Sequence, residues 1–220
     1  MSTWQFGDLP MFRHDLLVVD PPWAFDNWSR KGTKKGALRH YQTLQLNEIK
    51  NFRIGELAGP DCLLLLWATE CMREQAHDAM RHWGFVYKSA IIWHKRTRAD
   101  NAHMGTGYRV RTMHEPILIG TLGNPQHKPF PSIFKGVARH HSQKPEEFYS
   151  MIDRYCPRLT YRADIFARTA RPGWVSFGDQ IGLFEPDSPR GKQKISIDRD
   201  FTQEANHSTP LLAHLDGVGA

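Results

Sequence analysis

The residues best suited to chemistry are Asp20, Pro21, Pro22 and Trp23, which follow the apolar run Leu16 to Val19. Four branched apolar residues with no polar alternation predict a short strand, buried on both faces of a parallel sheet. Proline lacks the N–H that a strand ladder needs, so the strand is predicted to end at Asp20. A carboxylate, a rigid turn and an indole then lie at the carboxyl end of the strand, where open α/β sheets bind ligands.

These four residues suit alkylation of a weakly nucleophilic amine such as the exocyclic amine of adenine. The Asp20 carboxylate can accept one amine hydrogen, and the Pro21 carbonyl can accept the other. The Pro21-Pro22 turn keeps these acceptors rigid, which limits reorganisation during reaction. The Trp23 indole can stack on the base, a contact worth about 1–3 kcal/mol in single-strand binders. The alternative is structural: a strand end, a polyproline turn and a tryptophan that belongs to the core.

The composition is that of a soluble globular protein with a basic balance. The chain has 220 residues, long enough for one domain with a sizeable core, and a net charge of +6, which favours a polyanionic partner. Its cysteines, Cys62, Cys71 and Cys156, show no CxxC spacing, so we expect no disulfide framework. His140-His141, and His94 with His103, lack ligand spacing, so no metal site is expected. The start of the chain shows no signal-peptide pattern, which predicts a cytoplasmic location, in a bacterium or a phage host.

The elements that must position these residues alternate between strands and helices. After the first strand, helical spacing predicts helices over 46–57 and 70–83 and one that begins near Ser142, and apolar runs predict five further strands, over 62–67, 85–93, 116–123, 161–166 and 174–177. This rhythm predicts an α/β fold with a mostly parallel sheet and helices on both faces. The longest apolar run, Cys62 to Ala68, is too short to span a bilayer, so no membrane contact is expected. The polar segment 185–220 is predicted to be a partly flexible tail that follows a catalytic domain over 1–184.

Two basic segments are candidate contacts to a nucleic-acid backbone, since lysine and arginine neutralise phosphates. A loop over 26–40 precedes Tyr41, which is predicted to close over the site as a second aromatic wall. The second segment leaves the strand that ends near Trp93. The candidate cations are Arg30, Lys31, Lys34, Lys35, Arg39, Lys95, Arg96, Arg98, Arg109 and Arg111. The alternative for either segment is a solvated charged surface.

Taken with later segments, the Asp-Pro-Pro-Trp sequence resembles the beta-class adenine-N6 methyltransferases, in their bacterial and phage branch. The resemblance covers about 15–183 and includes Asp20-Pro21-Pro22-Trp23, Tyr41-Gln42-Thr43-Leu44, Leu65-Leu66-Trp67, Ile91-Ile92-Trp93-His94-Lys95, His114-Glu115, His141-Ser142-Gln143-Lys144-Pro145-Glu146, Ile165-Phe166-Ala167-Arg168 and Gly178-Asp179-Gln180. Eight matches in one order are more specific than any single motif. The resemblance implies a Rossmann-like methyltransferase fold and S-adenosylmethionine as the methyl donor.

The resemblance also implies roles for single residues. Asp20 and the Pro21 carbonyl accept the target amine, Pro22 and Trp23 shape the pocket, and Tyr41 is the aromatic of a gating loop. The implied cofactor contacts are Asp20, Pro21, Ser142, Lys144, Phe166, Arg168, Asp179 and Gln180. Arg168 would lie over the ribose, while Asp179 and Gln180 would read the ribose and adenine. Ala167 stands where the family often has Gly and Asp179 where it has Asn, and these departures concern the cofactor contacts.

The leading hypothesis is therefore a methyltransferase that acts on the N6 amine of adenine in DNA. The same reaction on RNA is the first alternative; the absence of paired CxxxC fingers favours DNA. A non-catalytic nucleic-acid-binding subunit is the second alternative, although both the acid and the aromatic of the motif are present. Methylation of a protein amide is the third, and the acid at position 20 and the basic charge disfavour it. A homodimer is compatible with this pattern.

Overall fold

The computed structural model describes residues 4–24, 43–105, 109–139, 143–179 and 181, which form one mixed α/β unit around a seven-stranded sheet. The strands are β1 (His14–Val19), β2 (Ala58–Trp67), β3 (Val86–Arg96), β4 (His114–Leu122), β5 (Ile133–Val137), β6 (Arg162–Ile165) and β7 (Trp174–Phe177). The helices are α1 (Leu46–Lys50), α2 (Arg73–His82) and α3 (Glu146–Tyr155), with 3₁₀ turns at Ile54–Leu57 and Glu70–Met72. The predicted tail over 185–220 lies outside the described residues.

The sheet has the order β5-β3-β4-β2-β1-β6-β7, with β1 near its centre. Strand β1 runs parallel to both β2 and β6, and the β3–β5 and β6–β7 pairs are also parallel. Strand β4 runs antiparallel to its neighbours β2 and β3. The predicted α/β class is confirmed, and the sheet is mixed because one inner strand has the reverse direction.

Both faces of the sheet are covered, which explains the unbroken apolar runs in the sequence. Leu17 and Val19 face a core shared with α1 and α2, while Leu16 and Val18 face the core beneath α3. All four side chains are at most 1% exposed. The prediction of a strand buried on both sides, with helices on both faces of the sheet, is therefore confirmed.

Some predicted elements differ in length or number. The helix predicted over 46–57 is broken: α1 ends at Lys50 with Asn51 as its C-cap, and a separate 3₁₀ turn follows at Ile54–Leu57. Helix α2 ends just before Gly84, whose φ of +85° is a conformation that glycine adopts without strain. Strand β5 was not predicted, since a short edge strand with Lys135 and Gly136 in its centre shows little periodicity. In the part of the chain that the structure describes, no helix is both long and apolar enough for a bilayer.

Candidate active site

The site forms where the carboxyl ends of β1 and β6 lie side by side. From β1 the chain passes to β2 on one side, and it returns much later to β6 on the other, so a crevice opens between β1 and β6. A shallow cleft that opens to solvent lies there. Among the described residues its lining consists of Val18, Asp20, Gln143, Lys144, Tyr149, Asp164, Phe166, Ala167, Arg168, Thr169 and Arg171. Four predicted site residues, Asp20, Lys144, Phe166 and Arg168, thus share one cavity.

Asp20 and Lys144 form an ion pair in this cleft, with 2.9 Å between Oδ2 and Nζ. The side chains are 20% and 11% exposed, so both charges are largely removed from water. The Asp20 backbone N–H donates to the Ile165 carbonyl, which fixes the carboxylate against the end of β6. Burial raises the pKa of Asp20, and the Lys144 ammonium opposes that rise. The pair keeps a partly desolvated carboxylate in a defined position.

Glu115 extends this pair into a longer chain of charges. Its Oε2 lies 3.6 Å from Lys144 Nζ, and its Oε1 lies 2.5 Å from Lys95 Nζ. Burial alone would raise the pKa of Glu115, but the Lys144 and Lys95 ammonium groups hold it below its ordinary value. In the sequence Glu115 was only part of a matched dipeptide, and its role was not predicted. The available signal was an acid at the start of an otherwise apolar strand.

The turn after β1 is held by backbone hydrogen bonds. The Trp23 N–H donates to the Pro21 carbonyl at 2.8 Å, which leaves that oxygen one lone pair for a further donor. The Leu44 N–H donates to the Pro22 carbonyl at 2.8 Å, and the Ala24 N–H donates to the Leu44 carbonyl at 3.0 Å. The turn is therefore tied at both ends, as expected for a rigid acceptor.

Trp23 lies in the core, which corrects the expectation that its indole offers a face to a base. Only 4% of the residue is exposed, and its Nε1 donates to the Trp67 carbonyl at 3.0 Å. A ring buried to this extent anchors the turn instead of presenting a stacking surface. Of the two interpretations of Trp23 raised by the sequence, the structural one describes its position.

Asp164 is a second buried carboxyl group in the cleft, and the sequence did not single it out. It lies on β6 in register with Val18 and is 4% exposed. The Tyr149 hydroxyl donates to its Oδ2 at 2.8 Å. Burial raises the pKa of Asp164 to about 7, and the nearby Asp20 charge adds to that rise. An aspartate within an apolar strand was the only available signal.

Arg171 packs against the other side of Tyr149. Its guanidinium carbon lies 3.5 Å from the centre of the Tyr149 ring, and it also pairs with Glu146. Glu146 in turn accepts from Arg139, and Arg139 also donates to the Lys144 carbonyl. The segment that carries Lys144 is therefore held from β5, from α3 and from the turn after β6.

The other residues implied as cofactor contacts divide into three groups. Phe166 has a φ of +64° and its ring contacts Phe52 in the core, with 5.0 Å between centroids. Asp179 is exposed and lies outside the described lining of the cleft. Tyr41, Ser142 and Gln180 lie outside the described residues.

The predicted phosphate contacts that the structure describes also differ among themselves. Lys95 pairs with Glu115, and Arg96 Nε donates to Asp100 at 2.7 Å. Arg111 donates to the Gly105 carbonyl, while Arg98 and Arg109 are exposed. Arg30, Lys31, Lys34, Lys35 and Arg39 fall outside the described residues. No group of three or more potential metal ligands occurs in the described ranges.

Comparison with known proteins gives a consistent picture. The MT-A70 family model matches residues 14–180. The chain is 28% identical over 192 residues to an N(6)-adenosine-methyltransferase MT-A70-like protein of Arabidopsis thaliana, and 29% identical over 182 residues to the human N(6)-adenosine-methyltransferase catalytic subunit METTL3. It is 25% identical over 196 residues to the type II methyltransferase M.MunI of a Mycoplasma species. These matches cover 82%, 78% and 80% of this chain, but 26%, 29% and 81% of the respective relatives.

Proposed function

The chain belongs to the MT-A70 family, and we propose that it transfers a methyl group from S-adenosylmethionine to the N6 amine of adenine in DNA. The observation that carries the proposal is the Asp20–Lys144 pair in the cleft between β1 and β6. It sets a carboxylate acceptor beside the Pro21 carbonyl at the sheet edge where such folds hold ligands.

The cleft suits the charged groups of S-adenosylmethionine. That cofactor carries an ammonium group, a carboxylate and ribose hydroxyls. The cleft offers the carboxyl groups of Asp20 and Asp164 together with the cations Lys144, Arg168 and Arg171. Gln143 Oε1 and Arg171 Nε are buried and have no hydrogen-bond partner in the described structure. Unsatisfied polar atoms in a cleft are available to a ligand, so this residue set fits the cofactor.

The protein's own groups supply position and electrostatics for the transfer. The bound cofactor provides an electrophilic methyl group on a sulfonium sulfur. Lys144 engages Asp20 Oδ2, so we assign Oδ1 to one amine hydrogen and the second lone pair of the Pro21 carbonyl to the other. These acceptors orient the nitrogen lone pair toward the methyl group. Bound there, S-adenosylmethionine would supply the methyl group and leave as the neutral thioether, and the Asp20 carboxylate would accept the proton that the methylated nitrogen loses.

The choice of DNA over RNA is supported by the similarity to the type II methyltransferase M.MunI, of which the match covers 81%. The net charge of +6 suits a phosphate backbone. An adenine in a duplex must leave the base stack to reach a cleft of this kind. The same reaction on RNA is the second candidate, supported by the similarity to METTL3.

Methyl transfer from isotope-labelled S-adenosylmethionine to matched DNA and RNA oligonucleotides, single- and double-stranded, tests the proposal. We expect N6-methyladenine in DNA, identified by mass spectrometry of the released nucleosides. Asp20→Asn should lower transfer at least about a hundredfold, since it removes the proton acceptor. Cofactor affinity measured by calorimetry should fall much less than transfer does, because Asp164, Lys144, Arg168 and Arg171 remain in the cleft.

The exposed Asp8 provides a matched control, because Asp8→Asn makes the same chemical change outside the described lining of the cleft. Asp8→Asn should retain wild-type transfer. Methyl transfer to RNA alone would show that RNA, and not DNA, is the substrate. Undiminished transfer by Asp20→Asn would refute the role of that carboxylate. Cofactor-independent nucleic-acid binding with no transfer would favour a non-catalytic subunit.

A further inference from the structure

Four side chains of alternating charge lie in a row across three strand ends and the start of a helix. Lys95 lies near the carboxyl end of β3, Glu115 is the second residue of β4, Asp20 follows β1, and Lys144 precedes α3. The successive N–O distances are 2.5 Å from Lys95 to Glu115, 3.6 Å from Glu115 to Lys144 and 2.9 Å from Lys144 to Asp20. Lys95 is therefore the outer member of a row that ends at the proposed catalytic carboxylate.

The row is partly buried and is supported by two tryptophans. The side chains of Lys95 and Glu115 are 22% and 18% exposed. Lys95 Nζ lies 5.1 Å from the Trp93 ring, and Lys144 Nζ lies 4.3 Å from the Trp67 ring. The two indoles pack edge to face with 5.8 Å between centroids. Charges with so little contact with water interact more strongly than surface pairs, so each member depends on its neighbours.

We propose that Lys95 is a positioning residue for the reaction, which fixes Glu115 so that Lys144 stays on Asp20, and that it is not a contact to the nucleic-acid backbone. This inference rests on the proposed methyl transfer and assigns Lys95 a part in it. Glu115 lies between two cations. While Lys95 is charged and in place, the Glu115 carboxylate is shared between Lys95 and Lys144. Without Lys95, Glu115 draws Lys144 toward itself and away from Asp20.

The surroundings of the row support this coupling. Glu115 faces Lys95 and Lys144, and Asp20 faces Lys144, Arg168, Glu115 and Asp164. His114, the neighbour of Glu115 in the chain, pairs instead with Glu70 at 3.2 Å. Removal of Lys95 takes away one of the two charges that lower the pKa of Glu115. The loss of transfer in the variant should therefore grow as the pH rises through the Glu115 pKa, since only the ionised carboxylate competes with Asp20 for Lys144.

The test compares Lys95→Gln with Lys95→Arg and with Arg98→Gln in the full chain. Lys95→Gln should lower kcat about tenfold or more, the usual effect of losing a hydrogen bond to a charged group. KM for DNA and the salt dependence of DNA binding should stay as in the wild type. Lys95→Arg keeps the charge and should recover most of kcat. The exposed Arg98 is the comparison for a phosphate contact, so Arg98→Gln should raise KM and flatten the salt dependence.

A measurement without substrate separates this inference from the proposed function. Carboxyl-carbon NMR of the unliganded protein, with the Glu115 signal assigned by its loss in Glu115→Gln, should show Glu115 titrating at higher pH in Lys95→Gln. If the Glu115 titration shifts in Lys95→Gln but the wild-type protein transfers no methyl group, the coupling stands and the proposed function is overturned. An unshifted titration, or a salt dependence that falls in Lys95→Gln as in Arg98→Gln, would overturn the positioning role.

Discussion

Asp20 and Asp164 lie in the same cleft but have different partners. Asp20 pairs with Lys144 at 2.9 Å and is one-fifth exposed. Asp164 is 4% exposed and accepts a hydrogen bond from the neutral hydroxyl of Tyr149. Burial raises the pKa of both carboxyl groups, and that of Asp164 reaches about 7. The cleft therefore holds one carboxyl group that faces a cation and one that titrates near neutral pH.

The raised pKa makes Asp164 a source of pH-dependent stability. The folded protein keeps the Asp164 proton up to about pH 7, whereas an unfolded chain releases it near pH 4. Stability from this group is present in acid and is lost as the pH rises toward about 7, by at most about 1.4 kcal/mol per pH unit. Asp164→Asn keeps an acceptor for Tyr149 and cannot ionise, so it should be more stable than the wild type at pH 8. The gain should shrink toward pH 5.

Urea unfolding of both proteins at pH 5, 6, 7 and 8 measures this difference. Tyr149→Phe is the companion variant, because it removes the donor to Asp164 and keeps the ring under Arg171. Without that donor, ionised Asp164 loses a stabilising hydrogen bond, and the fall of stability with pH should steepen. If the free energies of unfolding of the wild type and of Asp164→Asn change in parallel from pH 5 to pH 8, the assigned pKa is wrong.

Sequence patterns identified those residues of the cleft whose neighbours in the chain form a recognisable motif. Asp20 follows an apolar strand and precedes two prolines, and Lys144 and Arg168 occur in short matched segments. Glu115 and Asp164 were missed because an isolated acid in an apolar strand does not reveal which side chain faces it. Trp23 was assigned a stacking role because its burial depends on Trp67, which is distant in the chain.

The helices and strands show the same division between local and distant information. Six of the seven strands were predicted from apolar runs, since each run is a property of neighbouring residues. The direction of β4 was not predicted, because it depends on pairing with β2 and β3 across the long segment 97–113. Strand β5 was missed because its pattern is weak and its single pairing, with β3, gives it its structure.

Strand β5 contacts the segment that carries Lys144 through Gly136. A Cβ on Gly136 would lie 2.8 Å from both Pro145 Cβ and Trp93 Nε1. Gly136→Ala must therefore displace Pro145, the residue after Lys144, or the Trp93 indole that donates to the Gly136 carbonyl. We expect the free energy of unfolding to fall by about 1–3 kcal/mol, which is typical of overpacking. The rate of methyl transfer should fall by more than the fraction of folded protein does.

Lys135→Ala provides the control on the same strand, because the Lys135 side chain is exposed. Chemical denaturation and transfer assays of both variants separate the two effects. Gly136→Ala with wild-type stability and activity would show that β5 can shift freely, and that Pro145 does not transmit its position to Lys144.

The charge of the chain as a whole bears on how it binds a polyanion. The net charge is +6, and the predicted phosphate contacts include Lys31, Lys34 and Lys35, outside the described residues. Binding that releases counterions weakens with salt, with a slope of about 0.9 per phosphate contact on duplex DNA. Exchanging the three lysines for glutamine should lower that slope by up to about one per lost contact.

Fluorescence anisotropy of a labelled oligonucleotide across a salt series gives the slope. Exchange of the exposed Lys88 for glutamine, outside both predicted basic segments, is the control and should leave the slope unchanged. A wild-type slope in the triple variant would assign the loop to the solvated surface that the sequence left as an alternative.

The neighbours of β1 come from opposite parts of the chain. Strand β2 follows soon after β1, whereas β6 begins only at Arg162. During translation β1 therefore waits with one edge unpaired until β6 has left the ribosome, and an unpaired apolar edge invites contact with other chains. A message cut short before β6 would yield a product that lacks half of the cleft and tends to aggregate. Within the described residues, β6 thus both covers the free edge of β1 and completes the cleft.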